Sequence, residues 1–507
     1  MEQAGAAGRQ WPARWWVIGA LAFVIVATLN SAGYRFGTGD QAFYLPAIQR
    51  HLDPESFPRD RVLIDDQDRF NVFPRVAAAV IRAAHVPEPV LFAGFYALSL
   101  LVLFVAARAF GGLLGLSAWA QLAFLAALTL KHRVGLTGVN TLEGYAHPRM
   151  LAFALGLWAV VVFLRGKPAV ACALVAAASV VHPTTACWFA VWIGVAILAT
   201  ARPTGRRWML AAAGAAGVAV AWAVARGPLS SQIVRMDEAW LGVLAGKDYL
   251  LATRWPAGGW GMALLYVGAV GGLFALRRAR GVTHPREPGL VLGLAALVAL
   301  FLASLPFVAA RLAFAVQLQV PRVFWMLDLT ATAYAVWALA DARGSTGAGA
   351  AGWRRAAVVA AILACGASAR GAWVLWAEHP GRLAAQITLP RDDWQDAMSW
   401  LSRTPINAHI LADPGHAWRY GTSVRVAAGR DVYLEEVKDT AMSMYSRRVA
   451  TRVAGRIGAL GDFGALTPDR ARALAEQFAL DYLVIDRALD LPLAYRNARF
   501  SIYRLAR

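Results

Sequence analysis

A chain of 507 residues that is 58% hydrophobic and only 16% charged, with a mean hydropathy of +0.48, is too apolar for a water-soluble protein and reads as a polytopic membrane protein. The formal charge of +19 invites a nucleic-acid reading, but no basic helix or RNA-binding motif goes with it, and most of the excess lies in short loops where Lys and Arg set topology. A Walker loop is missing, as is a Gly-rich turn leading from a strand into a helix, which excludes direct drive by ATP and a nucleotide-sugar Rossmann site.

The first 14 residues are basic and show no small-residue cleavage site beyond the first apolar run, so Trp15 to Ala32 reads as a retained span. About eleven spans are expected, at 15–33, 89–107, 112–130, 149–164, 168–181, 183–200, 208–225, 257–276, 289–308, 319–340 and 354–377. The fifth is short and is expected to tilt or break at His182-Pro183. Cys172, Cys187 and Cys365 fall inside apolar segments without metal or disulfide spacing and are expected to be small core residues. Arg9, Arg14, Arg108, Arg165, Lys167, Arg202, Arg206, Arg207, Arg277, Arg278, Arg280, Arg354 and Arg355 recur at alternate boundaries. Arginine-rich short loops belong in the cytoplasm, which places the N-terminus inside and loops 34–88, 131–148 and 226–256, with everything after Trp376, outside.

The loop 34–88 carries two amphipathic patterns, Phe43 to His51 and Phe70 to Ala84, that read as interfacial helices. Between them Asp53-Pro54-Glu55 and Asp65-Asp66-Gln67-Asp68 read as acidic turns, and residues 229–250 form another outer segment containing Asp237-Glu238. From residue 378 to 507 acids and bases nearly balance, as in a soluble domain. Helices are expected over Asp392–Ser402, Glu435–Val453 and Thr467–Phe478, and strands at 408–412, 482–485 and 500–503, making a small α/β domain.

Asp40, in Gly37-Thr38-Gly39-Asp40-Gln41, stands just beyond the first span in a chain with few acids near its spans. It is either a functional carboxylate at one membrane face or a solvated residue in a tight turn. Glu143-Gly144-Tyr145-Ala146-His147-Pro148-Arg149 opens the fourth span, with Pro148 suited to a first helical turn. His147 and Arg149 therefore stand at a helix N-terminus whose free N–H groups favour an anion, or they simply anchor the helix to headgroups. His182-Pro183 repeats the pattern, and Arg322 follows Pro321 at the start of another span. Arg322 either pairs with a phosphate or snorkels to the interface, while Asp328, two turns deeper, is either a structural hydrogen-bond anchor or a neutral acid.

Three features carry a resemblance: Tyr34-Arg35-Phe36-Gly37-Thr38-Gly39-Asp40-Gln41 with the interfacial helices after it; the alternation of short basic and longer polar loops; and a tail containing Asp393-Trp394, Ile410-Leu411-Ala412-Asp413-Pro414 and Asp481-Tyr482-Leu483-Val484-Ile485-Asp486. Together they resemble the GT-C superfamily of membrane glycosyltransferases. The resemblance implies a mostly α polytopic fold over residues 1–377, an extracytoplasmic α/β domain over 378–507, and a bacterial-type inner-membrane location. It also implies transfer of a sugar from a polyprenyl-phosphate-linked donor, with Asp40 as the catalytic base and His147, Arg149, His182 and Arg322 as donor-phosphate ligands. Glu143, Asp65, Asp66 and Asp237 are the secondary acids. A divalent metal belongs to one version of the chemistry, but Gln41 occupies the place where many members have a second acid, and paired carboxylates are what such an ion wants. A transporter or lipid flippase is the rival from another class, although no internal repeat is visible, and a non-catalytic scaffold is the third reading.

Overall fold

The computed structural model describes residues 12–201 except Phe70, then 230–342 and 350–505, with isolated positions between 207 and 226. The expected span at 208–225 and the start of the helix at Phe70 therefore lie outside the described residues.

The first nine helices are α1 (Ala13–Asn30), α2 (Gln41–Leu52), α3 (Arg61–Asp68), α4 (Phe73–Ala84), α5 (Glu88–Leu113), α6 (Ala118–Thr129), α7 (Pro148–Leu164), α8 (Pro168–Val181) and α9 (Pro183–Thr200). Among the described residues seven helices are long and apolar enough to cross a membrane: α1, α5, α9, Ala257–Ala279, Glu287–Ala309, the run Ala313–Ala340 and Gly352–Glu378. The shorter apolar helices α6, α7 and α8 stand with them, and the chain is a multi-pass membrane protein. Ten of the eleven expected spans thus coincide with a helix.

Small residues let these helices close. A Cβ on Gly156 of α7 would meet the Phe189 ring of α9 at 2.3 Å, and one on Gly293 would meet the Trp192 carbonyl at 2.4 Å. The Ala313–Ala340 run is interrupted, because Gln319 adopts the left-handed region at φ 52° and Pro321 follows in a 3-10 turn before the helix resumes at Phe324. The expectation of core cysteines is corrected: Cys172, Cys187 and Cys365 are exposed. A span's outward face meets hydrocarbon, so an apolar residue there reads no differently from one in the core.

The loop after α1 is more helical than expected. The acidic stretch Asp65-Asp66-Gln67-Asp68 is the last turn of α3, not a turn-rich linker. Leu63 and Ile64 are buried in a cluster with Val449 and Val453 of the tail, and that burial draws the segment into a helix. Strand β1 (Tyr34–Arg35) pairs in parallel with β4 (Ala385–Gln386), tying this loop to the chain beyond the last span. Between them in sequence, β2 (Arg133–Val134) and β3 (Val139–Asn140) form a short antiparallel pair in the next long loop.

The tail contains a five-stranded sheet in the order β6-β5-β7-β9-β8, where the strands are β5 (His409–Leu411), β6 (Asp431–Val432), β7 (Tyr482–Ile485), β8 (Leu493–Arg496) and β9 (Ser501–Arg504). β5 runs parallel to β6 and β7, and β9 is antiparallel to β7 and β8. The expected single helix over Glu435–Val453 is two, Glu436–Met442 and Arg447–Leu460, separated by a 3-10 turn and an extended Ser446. The break accepts hydrogen bonds from elsewhere: the Trp240 indole donates to the Ser443 carbonyl at 2.7 Å and Gln317 to the Met444 carbonyl at 2.9 Å.

A buried charge cluster fastens this domain to the first loop. Arg425 donates to Asp60 at 2.7 Å and holds Asp439 through two bonds of 2.7 and 3.0 Å. Asp60 also pairs with Arg452 and accepts from the Val432 amide, and Asp431 accepts the amides of Arg59 and Asp60. Burial works against the charge on Asp60, but Arg425, Arg452 and Arg456 outweigh it and hold the carboxyl well below its usual range.

Candidate active site

The site is built from two loops and one tail helix. Gly37 and Gly39 turn at φ 81° and 61°, and a Cβ on Gly39 would fall 2.4 Å from the Tyr145 ring, so this turn needs glycine on both counts. Asp40 then stands at the head of α2. Gln41 is fully buried; its carbonyl oxygen accepts from the Gly37 amide at 2.6 Å and its NH2 donates to the Ala146 carbonyl at 3.1 Å. Gln41 thereby staples the first loop to the one that delivers His147. An acid at this position has an acceptor but no donor for Ala146, which explains an amide where many members of the resembling superfamily carry a carboxylate.

His147 caps α7, its Nδ1 accepting the Arg149 amide at 3.1 Å. The ring proton is thus assigned to Nε2, which donates to Asp40 Oδ2 at 3.0 Å. Burial first, and Arg149 second, lower His147 to about 4, so the ring is neutral near neutral pH. The edge of Tyr44 packs on it at 5.5 Å between centroids, and the His182 ring lies 5.9 Å away. His182 caps α9 through the Thr185 amide and is likewise driven well below its ordinary value, by burial and then by His147, Arg322 and Arg149.

Cations surround the carboxylate. Lys438, from the tail helix Glu436–Met442, donates to Asp40 Oδ1 at 2.7 Å, and Arg149 Nη1 lies 3.9 Å from Oδ2. Burial opposes charge on Asp40, but Lys438, His147 and Arg149 together hold it well below the usual carboxylate range. A quarter of the Asp40 side chain stays open. Arg149 is paired with Glu143, yet its Nε has no hydrogen-bond partner among the described residues, and the same holds for the buried Nε of Arg322. Such unmade donors are rare in a packed protein and fit a site built for an anion.

The structure therefore brings together Asp40, Glu143, His147, Arg149 and His182, with Arg322 close enough to bear on His182. The other acids have different partners. Asp65 pairs with Arg50 and Arg61, Asp66 with Arg448, and Asp237 caps the helix Glu238–Leu244 and pairs with Arg447. Asp328 accepts from or donates to His132 at 2.9 Å, so its place inside a span is satisfied by a partner.

A divalent metal does not fit these residues. Asp40 is a single carboxylate engaged by a lysine and a histidine, Gln41 is used in the staple, and Arg149 with Lys438 would repel a dication. Among the described residues no three His, Cys, Asp or Glu side chains group as metal ligands.

Lys438 is the site residue that reading the chain did not single out. One signal was available: of 50 cationic residues only four are lysine, at 131, 167, 247 and 438. Where arginine is the default cation, a lysine marks a position that uses a compact charge on a flexible stem.

No family model matches this chain, and no curated protein does. Among solved structures it is similar to the mycobacterial arabinofuranosyltransferase AftD, at 15% identity and a TM-score of 0.47 over 98% of this chain and 40% of that one. A mutant of the same enzyme gives 17% identity and a TM-score of 0.49, over 99% and 42%. The chain spans about two fifths of the length of these proteins.

Proposed function

We propose that this chain is a membrane glycosyltransferase that moves a sugar from a polyprenyl-phosphate-linked donor to an acceptor at the extracytoplasmic face. The observation that carries the reading is a partly open carboxylate, Asp40, set beside guanidinium groups whose Nε atoms have no partner among the described residues, at the ends of apolar helices. An acid alone fits many tasks; an acid next to unsatisfied cations at a bilayer edge fits a reaction in which a hydroxyl loses a proton and a phosphate departs.

In this reading the acceptor oxygen bonds to the anomeric carbon, the bond from that carbon to the phosphate oxygen breaks, and the hydroxyl proton passes to Asp40. Arg322 and Arg149 balance the charge of the leaving phosphate. Neutral His147 holds the carboxylate through Nε2–H and leaves its other oxygen for the acceptor once Lys438 has moved aside. The N-terminus is inside and the tail domain outside, because the short arginine-rich loops share one side. An ionisable residue inside a span, such as Asp328, would favour a transporter, but it has a partner in His132 and does not call for a translocated ion.

The test is the purified protein in lipid with polyprenyl-linked sugars, scored for sugar leaving the lipid. Asp40→Asn is expected to lower the rate on the order of 10²–10⁴-fold with donor binding retained, and Arg322→Ala to weaken donor binding. Equal rates for wild type and Asp40→Asn remove Asp40 from the role of base.

A further inference from the structure

The helix that carries Lys438 is held in place. Its Asp439 takes both terminal guanidinium nitrogens of Arg425, whose Nε is bonded to Asp60 in the first loop. Asp439 also accepts the Glu435 amide at 3.0 Å, and Lys247 of the second outer segment donates to the Val437 carbonyl at 3.1 Å. Asp60, Arg425 and Asp439 are all buried. Backbone displacement of the helix would break these charged bonds together, whereas rotation about the four-carbon stem of Lys438 moves the ammonium without moving the helix. That stem leads across Phe43, with the ammonium 5.2 Å from the ring centroid, to a side chain that keeps 15% of its surface open. By the other carboxylate oxygen lies Arg149, Nη1 3.9 Å from Oδ2, and its Nε has no partner among the described residues.

We propose that Lys438 is a side-chain switch between Asp40 and a bound phosphate monoester: it pairs with Asp40 in the ligand-free protein and turns to the phosphate when one occupies the Arg149–Arg322 edge. The proposal rests on the phosphate-binding part of the function proposed above. Ligand binding then does two things at once, adding a third cation to the phosphate and freeing Asp40 Oδ1. A permanent Asp40–Lys438 pair would do neither, since it occupies the one oxygen His147 leaves available. A lysine suits this task better than arginine, whose planar fork favours a fixed two-point bond to a carboxylate.

The experiment is a double-mutant cycle on the full chain in nanodiscs, with undecaprenyl phosphate in one arm and inorganic phosphate in the other. If phosphate must compete with Asp40 for Lys438, Asp40→Asn raises affinity in the Lys438 background by on the order of ten-fold more than in the Lys438→Met background. Simple repulsion between Asp40 and the ligand, with Lys438 a structural residue, gives Asp40→Asn the same effect in both backgrounds and overturns the switch. Coupling with the lipid alone assigns the site to a polyprenyl phosphate, and coupling in both arms assigns it to the phosphate group whatever its tail; each supports the switch. The chain's four lysines allow a direct readout by 13C-dimethylation, which keeps their charge. The signal missing from Lys438→Met is expected to move on adding undecaprenyl phosphate to wild type, and binding without that movement also overturns the switch. Absence of phosphate binding to wild type and Asp40→Asn in both arms overturns the phosphate reading itself, and the switch with it, which separates the two failures.

Discussion

Replacing Arg425 by Met tests what holds the tail domain over Asp40. Arg425 is 2% exposed and bonds Asp60 at 2.7 Å and Asp439 at 2.7 and 3.0 Å. The two acids lose unequally. Asp60 keeps Arg452, Arg456 and the Val432 amide, whereas Asp439, also 2% exposed, keeps only the Glu435 amide among the described residues. Removing one member of a buried pair costs about 3–5 kcal/mol because the other charge stays behind, and the partial compensation of Asp60 places the expected loss at the low end, near 3 kcal/mol. In the full-length protein this corresponds to roughly 100-fold faster hydrogen exchange, at about 1.4 kcal/mol per factor of ten, in Val424–Ala428 and Glu436–Met442, read by mass spectrometry under conditions where exchange reports the opening equilibrium. Arg425→Met with Asp439→Leu removes the stranded charge and is expected to recover at least half of the loss. A double variant that exchanges no more slowly than Arg425→Met refutes the reasoning, as does a single variant within a factor of three of wild type.

Gln41→Glu removes the side-chain donor to the Ala146 carbonyl at a fully buried position and places a carboxylate there; a loss on the order of 2–4 kcal/mol is expected, seen as a lower melting temperature, and an unchanged one would mean the staple is dispensable. Gly39→Ala meets both a positive φ and the Tyr145 ring, so sugar release is expected to fall while the protein still inserts, checked by activity against yield in the membrane. In the tail domain, burial lowers His409 and His416 to about 4 and raises Glu435 to about 7. The histidines stabilise fully above their unfolded value near 6.5 and lose that contribution as pH falls toward 4, whereas Glu435 stabilises below its unfolded value near 4.3 and loses its contribution as pH rises through 7. Glu435→Gln abolishes only the second trend, so the melting temperature of the variant minus that of wild type is expected to grow from pH 5 to pH 8; a difference that shrinks contradicts the assignment. Reporter fusions at Gly205, Arg280 and Gly429 are expected to read inside, inside and outside, and an inside signal at Gly429 separates the tail from the face proposed for the donor.

Local pattern was enough for much of this protein. Runs of apolar residues set the spans, because crossing hydrocarbon demands length and hydropathy that any stretch of chain carries by itself. The His-Pro pairs at 147–148 and 182–183 marked two helix starts, since proline's fixed φ and a capping side chain act within one turn. Asp40 was legible as an isolated acid after a span. What tertiary structure alone decided are the pairings across long separations. Lys438 meets Asp40 over 398 positions and Arg425 meets Asp60 over 365, and neither partner is legible locally, because the residues around a cation do not encode an acid so distant in the chain; the scarcity of lysine sets Lys438 apart without naming what it meets. The helix at Asp65–Asp68 and the break at Ser446 follow the same logic. Each departs from local propensity where burial against a distant segment, or a hydrogen bond from one, outweighs the preference of the residues themselves.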